Sequence, residues 1–141
     1  MQQFFTHSPE QTEQVAAEFA RCLRPGDDVA FTAGMGMGKT CFVRGLASVL
    51  CPQSGVSSPT FSLVNEYGGD TPLYHFDMYR VTSLDDLYST GFFDYLGTDA
   101  ILVIEWSENI VDALPDNTIW VRFERLGDCE RKITIEGDER F

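Results

Sequence analysis

The feature that most restricts what this chain can fold into is the run Ala33-Gly34-Met35-Gly36-Met37-Gly38-Lys39-Thr40. Val29-Ala30-Phe31 before it is an apolar segment of strand length, and Cys41, Phe42, Val43, Leu46, Ala47 and Leu50 after it form an apolar helix covered on more than one side. Between strand and helix, closely spaced glycines let successive backbone N–H groups turn inward without side chains in the way, so the loop becomes a nest for an anion. The start of the helix adds partial positive charge, Lys39 can reach β- and γ-phosphates, and the Thr40 hydroxyl is placed to ligate Mg²⁺. The spacing matches the polyphosphate-binding pattern GxxxxGK[ST] except at its first position. There Ala33 replaces glycine, and its Cβ requires the turn to keep φ negative, a small geometric adjustment.

The charge balance singles out that lysine. Against 22 acidic residues the chain has 10 cations, a net charge of −12, and Lys39 and Lys132 are its two lysines. Most of such a surface repels phosphate-rich polymers, which argues against direct, tight binding of DNA or RNA. With 141 residues, 43% of them apolar, one domain over residues 1–141 can bury a sufficient core without disulfides or a structural metal. Cys22, Cys41, Cys51 and Cys129 form no CxxC pair and no zinc-ligand spacing, and read as small apolar residues in a reducing compartment. The opening MQQFFTHSPE lacks a basic segment followed by a long apolar one, and the longest aliphatic stretch is Ala100 to Ile104. A cytoplasmic protein without membrane contact is the expectation.

Ser8-Pro9-Glu10-Gln11 followed by Val15, Ala16, Phe19, Ala20 and Leu23 predicts a helix over 9–23. Residues 61–67 and 73–79 alternate as two strands around Gly68-Gly69-Asp70, and 84–96 is helical with a break at Gly91. Ile101-Leu102-Val103-Ile104 is an unalternating aliphatic run, as in a parallel strand covered on both faces. A short helix over 107–114 stops at Pro115, and 118–125 with 131–136 form a closing hairpin. The sum is a three-layer α/β fold of P-loop NTPase type, with a mixed, mostly parallel central sheet and antiparallel strands on one side.

A phosphate loop needs an acid near its metal, and α/β sheets place such residues at the carboxyl ends of neighbouring parallel strands. Glu105 stands there, directly after Ile104, and is assigned to Mg²⁺, directly or through water. Asp77, in Tyr74-His75-Phe76-Asp77-Met78-Tyr79-Arg80, is assigned to the γ-phosphate, orienting water or completing the metal shell; a structural pairing with Arg80 or His75 is the competing reading. Ser57-Ser58-Pro59-Thr60 reads either as a switch-like loop sensing the γ-phosphate or as a plain turn. His75 reads as a hydrogen-bonded structural histidine before a general base, and Trp106 either covers the site or packs.

The Gly-Lys-Thr loop followed by Phe42, Ser58-Pro59-Thr60-Phe61, Leu63-Val64-Asn65-Glu66-Tyr67, His75-Phe76-Asp77-Met78-Tyr79-Arg80, Gly91 with Asp94-Tyr95, and Ile104-Glu105-Trp106 resemble the TsaE (YjeE) family from Ser8 to about Ile135. The resemblance implies a small ATPase required for threonylcarbamoyl modification of adenosine 37 in ANN-decoding tRNAs. It implies that Ala33, Gly34, Met35, Gly36, Met37, Gly38, Lys39, Thr40 and Cys41 bind ATP, with Thr12 near the adenine and Asp77 at the phosphates. Thr40 and Glu105 would coordinate Mg²⁺, and Lys39, Asp77 and Glu105 would carry catalysis. Two departures stand out: Ala33-Gly34 where the family has glycine followed by an acid, and Cys41 where threonine is common, which sets a thiol beside the phosphates. The implied partners are TsaB and TsaD, with tRNA met only through that complex, which agrees with the absence of a broad basic face. A small-molecule P-loop kinase is the rival reading, for which 141 residues leave little room for a lid and substrate domain. A nucleotide-binding interaction module is a third.

Overall fold

The computed structural model describes residues 1–32, 38–52, 64–68, 71–78, 81, 83–137 and 140, with the backbone alone at 64, 65, 108 and 109. Its strands are β1 (Gln2–Thr6), β2 (Asp28–Thr32), β3 (Val64–Tyr67), β4 (Leu73–Asp77), β5 (Ile101–Glu105), β6 (Ile119–Arg125) and β7 (Arg131–Glu136). Its helices are α1 (Pro9–Cys22), α2 (Lys39–Leu50), α3 (Leu84–Ser89) and α4 (Phe92–Tyr95), with a 3-10 segment over Ser107–Ala113.

Local chemistry sets these boundaries. The Ser8 hydroxyl caps α1 by accepting the Gln11 N–H at 3.2 Å, and Pro9 occupies the first turn, where its missing N–H costs nothing. Ser83 caps α3 in the same way through the Asp86 N–H at 3.1 Å. Gly91, at φ +77, is the left-handed residue that breaks the helical pattern between α3 and α4. The segment over Ser107–Ala113 is a tight 3-10 turn rather than an α-helix, with non-helical backbone at Ile110 (φ −133, ψ 25).

The seven strands form one sheet in the order β1-β7-β6-β2-β5-β4-β3. The ladders β6–β2, β2–β5 and β5–β4 are parallel; β1–β7, β7–β6 and β4–β3 are antiparallel. The mixed three-layer fold expected from the sequence is the one observed, with antiparallel pairs at both flanks where one was expected. Each hairpin gives one strand to the parallel centre and keeps the other outside it; β3 of one hairpin forms one edge, and β1, paired on β7 of the other, forms the opposite edge. β1 has no counterpart in the sequence reading: Gln2-Gln3-Phe4-Phe5-Thr6 lacks alternation, and its pairing runs to β7 near the far end of the chain.

Helices α1 and α2 cover one face over Val29, Phe31, Ile101, Val103 and Val121; on the other, Phe76, Leu102 and Ile104 pack beneath α3, α4 and the 3-10 segment. Alternation of β5 between the two clusters is why its aliphatic run carries no polar partner face. Phe42 of α2 sits at the centre of the first cluster, edge-on to Phe31 (5.5 Å) and Phe123 (5.4 Å) and tilted on Phe19 of α1 (5.8 Å). Cys51 is buried and its thiol donates to the Tyr67 carbonyl at 3.4 Å, whereas Cys22 and Cys129 are exposed. None of the described helices is long and apolar enough to cross a membrane.

At the amino end of β2, Asp28 is buried beside Asp27, whose carboxylate is held by Arg140 at 2.9 and 3.2 Å. Burial first, and the Asp27 charge second, push the Asp28 pKa up from 3.8 to about 6. The folded chain therefore binds this proton more tightly than the unfolded chain, and stability falls as pH rises from about 4 through about 6. Asp28→Asn is expected to exceed the native protein in stability by about 2–3 kcal/mol near neutrality and to match it below about pH 4, in urea titrations at the two pH values. A difference independent of pH would overturn the assignment.

Candidate functional site

The carboxyl ends of the parallel strands and the first turn of α2 meet at one place. Described chain resumes after β2 at Gly38, in a left-handed conformation (φ +93) that a side chain would strain, and α2 begins at Lys39. Ala33, Gly34, Met35, Gly36 and Met37, expected to hold phosphate, lie outside the described residues, as does the Ser57–Thr60 segment.

Lys39 is buried, 7% exposed, with its Nζ 3.8 Å from Oε1 of Glu105, the last residue of β5. The second carboxylate oxygen, Oε2, is 2.9 Å from His75 Nε2, and His75 is almost fully enclosed on β4. Burial pushes the Glu105 pKa up, but the His75 hydrogen bond and charge, followed by Lys39, outweigh it and hold the carboxyl below its ordinary range. Glu105 is therefore a carboxylate, fixed in orientation by His75 and facing an ammonium. His75 thus takes the hydrogen-bonded role among its two sequence readings, and its Nδ1 meets no polar partner among the described residues.

Trp106 follows at φ 57, the one non-glycine residue with positive φ among those described. Such a backbone costs about 1–2 kcal/mol. It turns the chain sharply after Glu105, and the indole ring lies 5.2 Å from the Lys39 ammonium, a cation–π contact. The turn is held from below by the buried Ser107 hydroxyl, which donates to the Phe31 carbonyl of β2 at 2.8 Å. Asp77 ends β4 in register with Glu105, so both carboxylates leave the same face of the sheet on strands about 4.8 Å apart.

On the other side of Lys39 a cleft of about 370 Å³ opens between the starts of α1 and α2. Thr12, Gly38, Lys39, Thr40 and Cys41, all named from the sequence, line it. Thr12 is buried and shares its hydroxyl with Thr6 at 2.9 Å, so it forms part of the wall. Glu105 and Asp77 lie outside the cleft lining, and Lys39 joins the two halves. The opposite wall comes from the β6–β7 turn through Asp128, Cys129 and Arg131, which the sequence reading missed. Arg131 is anchored there by donating to the Gly127 and Glu130 carbonyls, each at 2.9 Å. Its signal in the sequence was slight: one of three cations, with Arg125 and Lys132, that flank a hairpin turn.

A family sequence profile described as "Threonylcarbamoyl adenosine biosynthesis protein TsaE" matches residues 6–133. A Treponema pallidum protein described as tRNA threonylcarbamoyladenosine biosynthesis protein TsaE is 36% identical over 130 residues, covering 92% of this chain and 96% of that protein. A Bacillus subtilis protein of the same description is 36% identical over 131 residues, covering 92% and 82%. The crystal structure of Bacillus subtilis YdiB superposes with a TM-score of 0.78 at 31% identity, covering 99% of this chain and 86% of the other.

Proposed function

The chain belongs to the TsaE family and takes part in tRNA threonylcarbamoyladenosine biosynthesis, and on that premise we propose that it is a Mg²⁺-dependent ATPase that binds the TsaB–TsaD complex and hydrolyses ATP to permit its turnover. What carries this reading is the buried Lys39–Glu105–His75 cluster, set where the carboxyl end of β5 meets the start of α2.

The donor set fits the ligand. The cleft beside Thr12 and Arg131 has the volume and concavity of a small-molecule site and receives the adenosine. Lys39 and the amino end of α2 meet the phosphates, and the line from cleft to Lys39 to Glu105 carries the triphosphate toward the two acids. The Thr40 hydroxyl and the Glu105 carboxylate are hard oxygen donors of the kind that hold Mg²⁺ with few protein ligands. When bound there, Mg²⁺ would supply positive charge against the negative charge of the phosphates. His75 keeps Glu105 oriented, the support that ligating carboxylates require. Asp77, beside Glu105 and half exposed, orients the attacking water. Lys39 exchanges its contact with Glu105 for the phosphates when nucleotide enters.

Calorimetric titration with Mg·ATP tests the phosphate role: Lys39→Ala is expected to weaken binding about 10–100-fold, the worth of a lost charged hydrogen bond. Equal affinities for native and variant would remove it. Phosphate release and tRNA modification measured together, with and without TsaB–TsaD, test the partner role. Hydrolysis indifferent to the complex would overturn it.

A further inference from the structure

Between Arg80 and Arg122 the sequence contains no lysine or arginine, yet it holds eight of the 22 acidic residues. That stretch supplies α3, α4 and the 3-10 segment, the helical layer on one face of the sheet among the described residues. The layer also exposes apolar side chains. Leu84 and Tyr88, one helical turn apart on α3, are 58% and 61% exposed. Tyr88 stacks on half-buried Phe93 of α4 with ring centroids 4.7 Å apart. Phe93 in turn rests on Phe92 (5.8 Å), which packs edge-on against Phe76 in the core (5.3 Å). The patch is therefore seated on packed aromatics, and exposed Asp85, Asp86 and Asp94 surround it.

An aromatic-aliphatic centre beside acids is the composition of a protein-binding hot spot, and because residues 81–121 of the sequence hold acids and no lysine or arginine, charge complementarity favours a partner whose rim is positive. The patch is tied to the site as well. The Met78 N–H donates to the Glu105 carbonyl at 3.0 Å and the Val81 N–H to the Met78 carbonyl at 3.1 Å, immediately before Ser83 caps α3.

We propose that the α3–α4 face, centred on Leu84, Tyr88 and Phe93, is the docking surface for a protein partner that offers an apolar socket ringed by lysine or arginine. The inference rests on the proposed action of this chain on a protein complex, and it names the face and the chemistry of the contact.

The probe is the TsaB–TsaD complex, titrated calorimetrically in Mg·ATP at low and moderate salt. The pair Leu84→Ser/Tyr88→Ala is expected to weaken binding at least about tenfold with the salt dependence retained. Asp85→Lys/Asp86→Lys is expected to weaken it at least about tenfold, and the neutral pair Asp85→Asn/Asp86→Asn less, with a flatter salt dependence. Glu124→Lys, an exposed acid on β6 away from this layer, is expected to bind within about twofold of native. ATP affinity without partner stays unchanged in every variant. Patch variants that bind like the native protein, a loss of ATP affinity in the patch variants, or an equal loss in Glu124→Lys would overturn the docking face while leaving the ATPase reading in place. Native protein that does not bind the complex would overturn both the docking face and the partner role.

Discussion

Replacing Glu105 by glutamine is expected to lower Mg²⁺-dependent ATP hydrolysis by about 10²–10³-fold, with the fold and metal-free nucleotide binding intact. Glutamine has nearly the same volume and keeps an oxygen for the 2.9 Å contact with His75, so the burial and the β4–β5 register survive. What disappears is the negative charge that holds Lys39 at 3.8 Å and that is proposed to ligate Mg²⁺. Without it, Lys39 is free to meet phosphate, and a repulsive charge near the triphosphate is gone. Metal-free ATP should therefore bind at least as tightly as to the native protein, while the rate no longer responds to added Mg²⁺. Steady-state phosphate release against Mg²⁺ concentration, beside calorimetry with and without the metal, separates the two effects. A variant that hydrolyses ATP with native metal dependence would take Glu105 out of the metal site. The pH profile adds a check. Because the Glu105 pKa is held below its ordinary value, its pairing stabilises the fold above the unfolded carboxyl pKa and is lost as pH falls through the lower folded value, so native and glutamine forms converge in stability in acid.

The parts of this architecture that sequence conveys are those encoded by neighbours along the chain. Val29-Ala30-Phe31 announces a strand and Ile101 to Ile104 a parallel one covered on both faces, and Ser8-Pro9 announces a helix start because its hydroxyl satisfies a nearby amide. β1 is not announced in this way. Its adjacent Phe4 and Phe5 break any polar–apolar alternation in sequence, and the alternation of their burial, Phe4 half-buried and Phe5 59% exposed, is set by its ladder with β7. Which side of the parallel centre each hairpin takes is likewise decided by the partner strands β2 and β5, not by the turns.

The same division holds at the site. Lys39, Thr40, Glu105 and Asp77 could be named from motif and strand-end position, and His75 shares the period-two face of β4 with Asp77. That His75 grips Glu105 depends on the parallel register that sets Asp77 opposite Glu105, a relation between segments about 30 residues apart. Arg131 reaches the cleft only because β7 returns beside β6 and brings the turn over the starts of α1 and α2. The positive φ of Trp106 has no sequence signal either, since tryptophan is a poor left-handed residue and the turn is imposed by the Ser107–Phe31 bond beneath it.

Gly45→Ala is expected to destabilise the protein by about 3 kcal/mol, and Gly45→Val by more, although helix propensity alone predicts that alanine gains about 0.5–1 kcal/mol. Gly45 lies inside α2 where α1 crosses it. A Cβ there would stand 2.3 Å from the Glu13 carbonyl oxygen and 2.5 Å from the Ala16 Cβ. Both neighbours are fixed, one in the backbone and one a methyl on the buried stripe of α1, so no rotamer change relieves the overlap. Carbon contacts require about 3.5–4 Å, and the helices must separate by roughly 1 Å or more along much of their shared face. That separation loosens Phe19 from Phe42 and shifts Thr12, next to Glu13, out of the cleft wall, so weaker nucleotide binding should accompany the lost stability. Thermal melts are expected to show a fall of about 10 °C for Gly45→Ala, with Gly45→Val unfolded near physiological temperature. An alanine variant as stable as the native protein would mean that α1 and α2 do not cross this closely, and the geometry of the cleft between their amino ends would have to be redrawn with them.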